Sequence, residues 1–188
     1  MLRDGDIILD NRRIPLRDVM GAGPLEATGI FKPGKTSKDY AQAAYGAFFA
    51  EVGVSSVTGE VRVRRMLGTF AAGRILNPKT ARSQCIGGMT FGIGAALTEE
   101  LVHDLRDGHI VNHDLAEYHL PVNLDVPQIE VHFLEERDDQ ACPLQSKGIG
   151  ELGISGAGAA ITNAIANATG SRIRRYPATL DKLLAVME

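Results

Sequence analysis

Between Lys147 and Gly170 the chain reads KGIGELGISGAGAAITNAIANATG, a tight run of glycines around a single carboxylate that passes into a helix of small residues. Glycines at 148, 150, 153, 156 and 158 give up backbone entropy that an ordinary helix start keeps, so something requires that backbone to be bare. The stretch reads as a ligand-facing loop carrying Glu151 as a base, followed by a helix over Ile154–Ala168 that ends at Gly170. Any fold for this chain has to bring other elements close to that glycine run.

The strongest local signal elsewhere is a hairpin. YGAFFAEVGV at 45–54 and EVRVRRMLGTFA at 60–71 are rich in β-forming residues and flank SSVTG, with Thr58-Gly59 at the tip. Val61 and Val63 alternate with Arg62 and Arg64, which sends one face to a core and the other to solvent or a partner. Asn77-Pro78 then starts a helix predicted to run to about Glu100, because Asn supplies a capping oxygen and Pro at the first position loses no needed donor. Its middle, QCIGGMTFGIGAAL, is apolar all round, as in a buried central helix packed closely on other backbone. Each interior glycine there costs ~1 kcal/mol relative to alanine, which again calls for a packing or ligand reason.

The remaining elements are shorter. Asp6–Arg13 reads as a strand, a turn at Asp10-Asn11 and a returning strand, and Pro15 opens a helical turn through Val19. Residues 21–39 form a connector with a short strand at Glu26–Phe31. Leu101–Val111 reads as a hairpin turning at Arg106–Gly108, and Ile129–Leu134 as a strand reached through a polar connector directed by Pro121 and Pro127. A charged loop, Glu135–Gln140, precedes the glycine run; a strand at Arg172–Tyr176 and a helix over Leu180–Met187 capped by Thr179 follow it. The fold class is α+β: a mixed or antiparallel sheet with the central helix and the small-residue helix packed on it.

The 188 residues are 44% hydrophobic and 23% charged, enough for a folded core. A net charge of −3 and scattered arginines argue against nucleic acid as a partner. Cys85 and Cys142 stand far apart, and with the five histidines they make no zinc spacing, so no metal ligands are assigned. Met1–Asp10 carries charges where a signal peptide has its apolar segment, and Cys85–Leu97 is too short to span a bilayer, so no membrane association is expected. Export by riding on a partner subunit would leave no mark here, so the compartment stays open between cytoplasm and periplasm.

Two short glycine patterns match nucleotide motifs. GIFKPGKT at 29–36 satisfies GxxxxGK[ST], but AGPLEAT before it is a poor buried strand and the chain beyond turns into hairpins. GIGELG at 148–153 satisfies GxGxxG, yet CPLQSK precedes it where a strand is required, and Glu151 would meet an approaching pyrophosphate. Glycines ahead of a helix still suit close approach of an anion or a flat ring.

Taken in order, YGAFFAEV, the hairpin, GRILNP, QCIGGMTFGIGAALTEEL and KGIGELGISGAGAAITNAIANATGSRIRRYPATLDKLL resemble the C-terminal part of the molybdenum-binding subunit of the xanthine dehydrogenase and aldehyde oxidoreductase family. The wording is most similar to bacterial aldehyde oxidoreductases that carry molybdopterin cytosine dinucleotide. The resemblance covers nearly the whole chain, which reads as one portion of a molybdopterin-binding domain: a loop-rich lead-in over 1–44, then hairpin, helices and cofactor loop over 45–188.

The resemblance implies oxidation of an aldehyde or aromatic heterocycle with a water-derived oxygen. Glu151 would be the general base toward a molybdenum-bound hydroxyl, while hydride passes to a sulfido ligand and electrons leave through iron-sulfur clusters and FAD on partner subunits. Cofactor contacts carry over to Arg74, Ile75, Leu76, Asn77, Pro78, Lys79, Thr80 and Gln84, and to Lys147, Gly148, Ile149 and Gly150. Of these, Arg74 suits a phosphate, whereas Asn77 and Pro78 are equally explained as a helix cap, Gln84 as an exposed helical residue and Lys147 as a solvated lysine. Two positions depart from the family pattern: Ser83 stands before Gln84 where glycine is common, and Leu152 follows Glu151 where many members have proline. A carboxylate among glycines beside an apolar helix can be desolvated toward a working base. Family subunits are several times longer, so the isolated chain is expected to bind no molybdenum and to have no turnover. A contrasting expectation is a cofactor-free assembly module whose apolar faces drive self-association.

Overall fold

The computed structural model describes residues 2–21, 26–30, 32, 35–126 and 128–187, and divides the chain into two compact units, 1–34 and 35–188. In the first unit, β1 (Leu2–Arg3), β2 (Asp6–Leu9) and β3 (Arg12–Pro15) form an antiparallel sheet. Asp10 and Asn11 both take positive φ, 44° and 65°, as a two-residue hairpin turn requires. Helix α1 (Leu16–Met20) follows directly. The strand expected at Glu26–Phe31 is absent over 26–30, and Phe31 lies outside the described residues, as do Pro33 and Gly34 of the GIFKPGKT motif.

The second unit opens with α2 (Thr36–Asp39), a single turn, so the segment after GIFKPGKT does not make the helix that a phosphate loop needs. The predicted hairpin is present as β4 (Tyr45–Val54) and β5 (Val61–Ala71), with Gly59 at φ 71° in the connection. A bulge interrupts it: Glu51 pairs with Arg65 and Val52 with Val63, leaving Arg64 unpaired. That extra residue shifts the alternation by one, so Val63 and Met66 both face inward while Arg64 and Arg65 both face out. Strand β6 (Ile129–Phe133) joins β5 in parallel, with Met66 opposite Ile129 and Phe70 opposite Phe133. A parallel neighbour requires a long crossover, and α3 (Pro78–Leu97) lies within it.

Asn77 caps α3 as predicted, its Oδ1 accepting from the Lys79 and Thr80 amides at 3.1 and 3.3 Å. The helix stops at Leu97 rather than Glu100 because the Thr98 and Glu99 amides both turn back onto the Gly94 carbonyl. Its inward face, Ala81, Cys85, Met89, Ile93 and Ala96, joins Met66, Phe70, Ile161, Ile165 and Leu183 in the core. Gln84, Gly87 and Phe91 form an exposed stripe along the same helix. Helix α4 runs from Ala157 to Thr169, three residues later than expected, because 150–156 is a succession of turns. Its C-cap Gly170 is left-handed at φ 77°.

Two terminal expectations change. Arg172–Tyr176 is irregular rather than a strand: Ser171 and Arg172 bond back to Thr169 and Asn163 of α4 rather than to a sheet edge, and the Tyr176–Pro177 peptide is cis. Helix α5 covers only Leu180–Leu184, and Thr179 stands at its N-cap without a side-chain cap bond. The expected 101–111 hairpin reduces to one bridge, His103 with Ile110.

Helices α3 and α4 approach through glycine. A Cβ on Gly88 would lie 2.8 Å from the Gly153 carbonyl carbon, and one on Gly153 would lie 2.5 Å from the Cys85 carbonyl oxygen. Gly87, one residue away, faces open space. Gly87→Ala is therefore expected to stabilise the chain by about 0.5–1 kcal/mol through helix propensity, and Gly88→Ala to destabilise it by about 1–3 kcal/mol through overpacking. Urea unfolding of the two variants measures both, and equal shifts would refute the assignment.

Candidate functional site

Strand β5 ends at Ala71, and the chain turns at Gly73 to run outward toward the α3 N-terminus. There it meets the segment leading into the glycine run. Gly73 and Ser146 form an antiparallel bridge flanked by two backbone bonds, Lys147 N–H to the Ala72 carbonyl at 2.9 Å and Arg74 N–H to the Gln145 carbonyl at 2.7 Å. Gly73 has φ 64° and a Cβ there would strike the Gln145 oxygen, so only glycine fits. From the other side, the Gln84 side chain on α3 donates to the Gly150 carbonyl at 2.7 Å.

These bonds close a cleft of about 490 Å³. Arg74, Ile75, Leu76, Asn77, Thr80 and Gln84 line one wall and Lys147, Ile149 and Gly150 the other, with Ala81 and Ser146 added. The two segments quoted from the sequence as cofactor contacts thus come together. Pro78, Lys79, Gly148 and Glu151 belong to the same segments but do not line the cleft. A smaller hollow of about 250 Å³, walled by Val61, Ile93, Leu97, Leu124 and their neighbours, shares none of these residues.

The cleft and the residues flanking it carry unused donors. Among the described residues the N–H groups of Gly148, Ile149, Gly150 and Glu151 donate to no protein acceptor, and Arg74 and Lys79 are exposed without an ion pair. Gly148 and Gly150 would meet nothing within 4 Å if they carried a Cβ, whereas Gly153 and Gly156 are crowded by Cys85 and Phe48. The glycine run therefore divides into a packing half and an open half. Consecutive free amides beside an unpaired guanidinium suit an anion.

Lys147 departs from the solvated lysine that sequence alone allows. Its side chain is 9% exposed and its Nζ lies 2.8 Å from Glu136 Oε1 and 3.2 Å from Asp138 Oδ2, with the Tyr45 ring centroid at 5.8 Å. The ammonium is spent on internal partners and the Lys147 N–H on the Ala72 carbonyl, so Lys147 offers the cleft no free donor. Glu136 and Asp138 were not singled out from the sequence; the only signal was the charged loop that holds them. Glu151 sits exposed in the turns after the cleft, not desolvated against the apolar helix. Asp104, Asp107 and His109 bring ligand atoms within 4.8 Å of one another on an exposed turn, where Arg106 already holds Asp104.

The ion cluster perturbs its members. The Lys147 ammonium, and then the Gly73 amide, hold the Glu136 carboxyl below its usual range; the Gln140 amide, with Lys147 as a further cause, does the same for Asp138. Lys147 is raised, chiefly by Glu136. A depressed carboxyl contributes stability above its unfolded value and loses it as pH falls through the folded one; a raised lysine contributes below its unfolded value and loses it as pH rises through the folded one. Urea unfolding taken downward from neutral pH is expected to show an acid limb that Glu136→Gln makes shallower, and an unchanged limb would refute the pairing.

A family model described as a molybdopterin cofactor-binding domain matches residues 2–127. The chain is 55% identical over 181 residues to the aldehyde oxidoreductase molybdenum-binding subunit PaoC of Escherichia coli K12, covering 96% of this chain and 25% of that subunit. It is 35% identical over 168 residues to the probable hypoxanthine oxidase XdhD of the same organism, covering 89% of this chain and 17% of that protein. Among solved structures, the aldehyde oxidoreductase of Desulfovibrio desulfuricans superposes with a TM-score of 0.70 at 33% identity, over 77% of this chain and 16% of that one. The chain thus spans about a quarter or less of the length of these relatives. Its α+β architecture and its sequence together place it in the molybdopterin cofactor-binding domain family of the xanthine dehydrogenase and aldehyde oxidoreductase type.

Proposed function

We propose that this chain forms one wall of the cofactor site of a molybdenum hydroxylase that oxidises aldehydes or aromatic heterocycles. The observation that carries this reading is the convergence of 74–84 and 146–150 on a single cleft in which the Ile149 and Gly150 amides and the Arg74 guanidinium lack protein partners. Those donors fit the anionic groups of a pterin dinucleotide, here the cytosine dinucleotide form. Arg74 would meet phosphate, the Ile149 and Gly150 amides would meet pterin oxygens, and Gln84 holds the Gly150 carbonyl so that the amides keep their direction. When bound, the molybdenum cofactor supplies the two-electron acceptor for the substrate.

Glu151 follows the last of these amides directly. Its carboxylate takes the proton from the oxygen nucleophile, and exposure in this chain alone is removed when the remainder of a molybdenum domain covers the turn, which desolvates it toward a base. Phe91 and Phe49, 62% and 57% exposed, belong to surfaces that such a covering would bury. Iron-sulfur and FAD subunits receive the electrons. In an assembled enzyme carrying this segment, Glu151→Gln is expected to lower turnover at least ~100-fold with molybdenum content unchanged; steady-state kinetics beside metal analysis checks this, and retained turnover would sink the assignment. The chain purified alone is expected to carry no stoichiometric molybdenum, and elemental analysis finding one atom per chain would overturn the view that it is one wall of a divided site.

A further inference from the structure

The loop at 73–76 borders two hollows: the cleft, and a depression of about 500 Å³ lined by Gly73–Ile75 and 133–137. Gly73 is buried against Gln145, but Arg74 and Leu76 beyond it are exposed, so the position of the loop depends largely on specific bonds. Two are the backbone bonds to Gln145 and Lys147. The third comes from behind: Glu136 accepts the Gly73 N–H on Oε2 at 3.0 Å and the Lys147 ammonium on Oε1 at 2.8 Å. One carboxylate thereby holds Gly73, which leads into one wall, and Lys147 of the other, beside the Gly73–Ser146 bridge where Gly73 and Gln145 take φ 64° and 59°. Left-handed backbone at a non-glycine residue such as Gln145 persists only where surrounding bonds hold it.

We propose that Glu136 is a positioning residue for the cleft: by pinning the Gly73 amide and Lys147 together, it sets the spacing at which Arg74 and the Ile149 and Gly150 amides meet the anionic cofactor. This rests on the cofactor reading above and assigns Glu136 no contact with the cofactor or substrate. The Asp138 side chain completes the ion cluster but bonds only Lys147 and its own loop, so two side chains tie the walls together: Gln84, which holds the Gly150 carbonyl at the α3 end, and Glu136, which holds Gly73 and Lys147 at the other. The fully structural alternative is that Glu136 merely neutralises a half-buried lysine.

The two roles separate by substitution in the complete molybdenum-binding assembly. Glu136→Gln keeps the volume and one acceptor oxygen but cannot bond both walls as an anion. Amide hydrogen exchange of 72–77 and 145–150 is expected to quicken about tenfold or more, the size of losing one charge-assisted bond. Cofactor loss on prolonged dialysis, followed as molybdenum per protein, is expected to accelerate about tenfold as well. Glu136→Leu with Lys147→Met removes the pair of charges that Glu136 balances, while Asp138 keeps the Gln140 and Ala141 amides as partners. It leaves the Gly73 amide without its acceptor, so exchange at 72–77 and cofactor loss are expected to stay fast. Recovery of both in the double variant would overturn the proposal in favour of charge neutralisation, as would unchanged exchange or unchanged cofactor retention in Glu136→Gln. Loop exchange reports on the pin without reference to the cofactor, whereas a wild-type assembly free of molybdenum would count against the cofactor reading and leave the exchange result standing.

Discussion

The close approach of α3 to the turns leading into α4 is the contact on which the rest of the second unit depends. Gly88 meets Gly153, and Gly92 meets Ala157, with no room for a side chain between them. Backbone that close buries Cys85, Met89 and Ile93 against Ile161 and Ile165 and leaves a small, dense core under a three-stranded sheet. It also fixes where the segment before Gly153 emerges, beside the first turns of α3. The cleft between 74–84 and 146–150 is a consequence of that packing, since both of its walls are anchored to α3 or to the strand that precedes it.

The electrostatics of the cleft follow a division of labour. Charges that sequence alone would scatter are sorted by the fold into internal and outward-facing sets. Lys147 faces inward and is saturated by Glu136 and Asp138, whereas Arg74 and Lys79 face outward without partners. A cation already paired at both ends contributes rigidity, because removing either partner leaves a poorly solvated charge behind. An unpaired arginine at the mouth contributes attraction for an anion, and the free amides between Gly148 and Glu151 contribute direction. The walls can then be stiff while the surface they present remains unsatisfied, as a binding surface has to be.

Much of this was legible in the chain. The hairpin, the Asn77 cap with Pro78, and the strand at Ile129 all carry local signals that survive in the structure, because each depends on neighbours in sequence; the parallel pairing of that strand with β5 does not. Where the reading differed, non-local contacts decided. Arg172–Tyr176 has the composition of a strand but is held by α4 and finds no sheet edge. The α3 apolar run suggested burial all round, yet Gly87 and Phe91 stay exposed, beside Gln84, because one face alone meets the sheet and α4. Arg64 looked like one tooth of a regular alternation and is instead the extra residue of a bulge.

The sequence by itself determined that the stretch from Lys147 onward has a bare backbone around one carboxylate, and that a capped apolar helix and a long hairpin accompany it. Those are matters of residue type and short-range spacing. Only the tertiary structure decided which glycines are bare for which reason: Gly153 and Gly156 because Cys85 and Phe48 press on them, Gly148 and Gly150 because nothing does. It also decided that Lys147 is an internal ion and that Glu136 spans both walls, since ion pairing across an irregular loop depends on where the chain returns in space and leaves no periodicity to read.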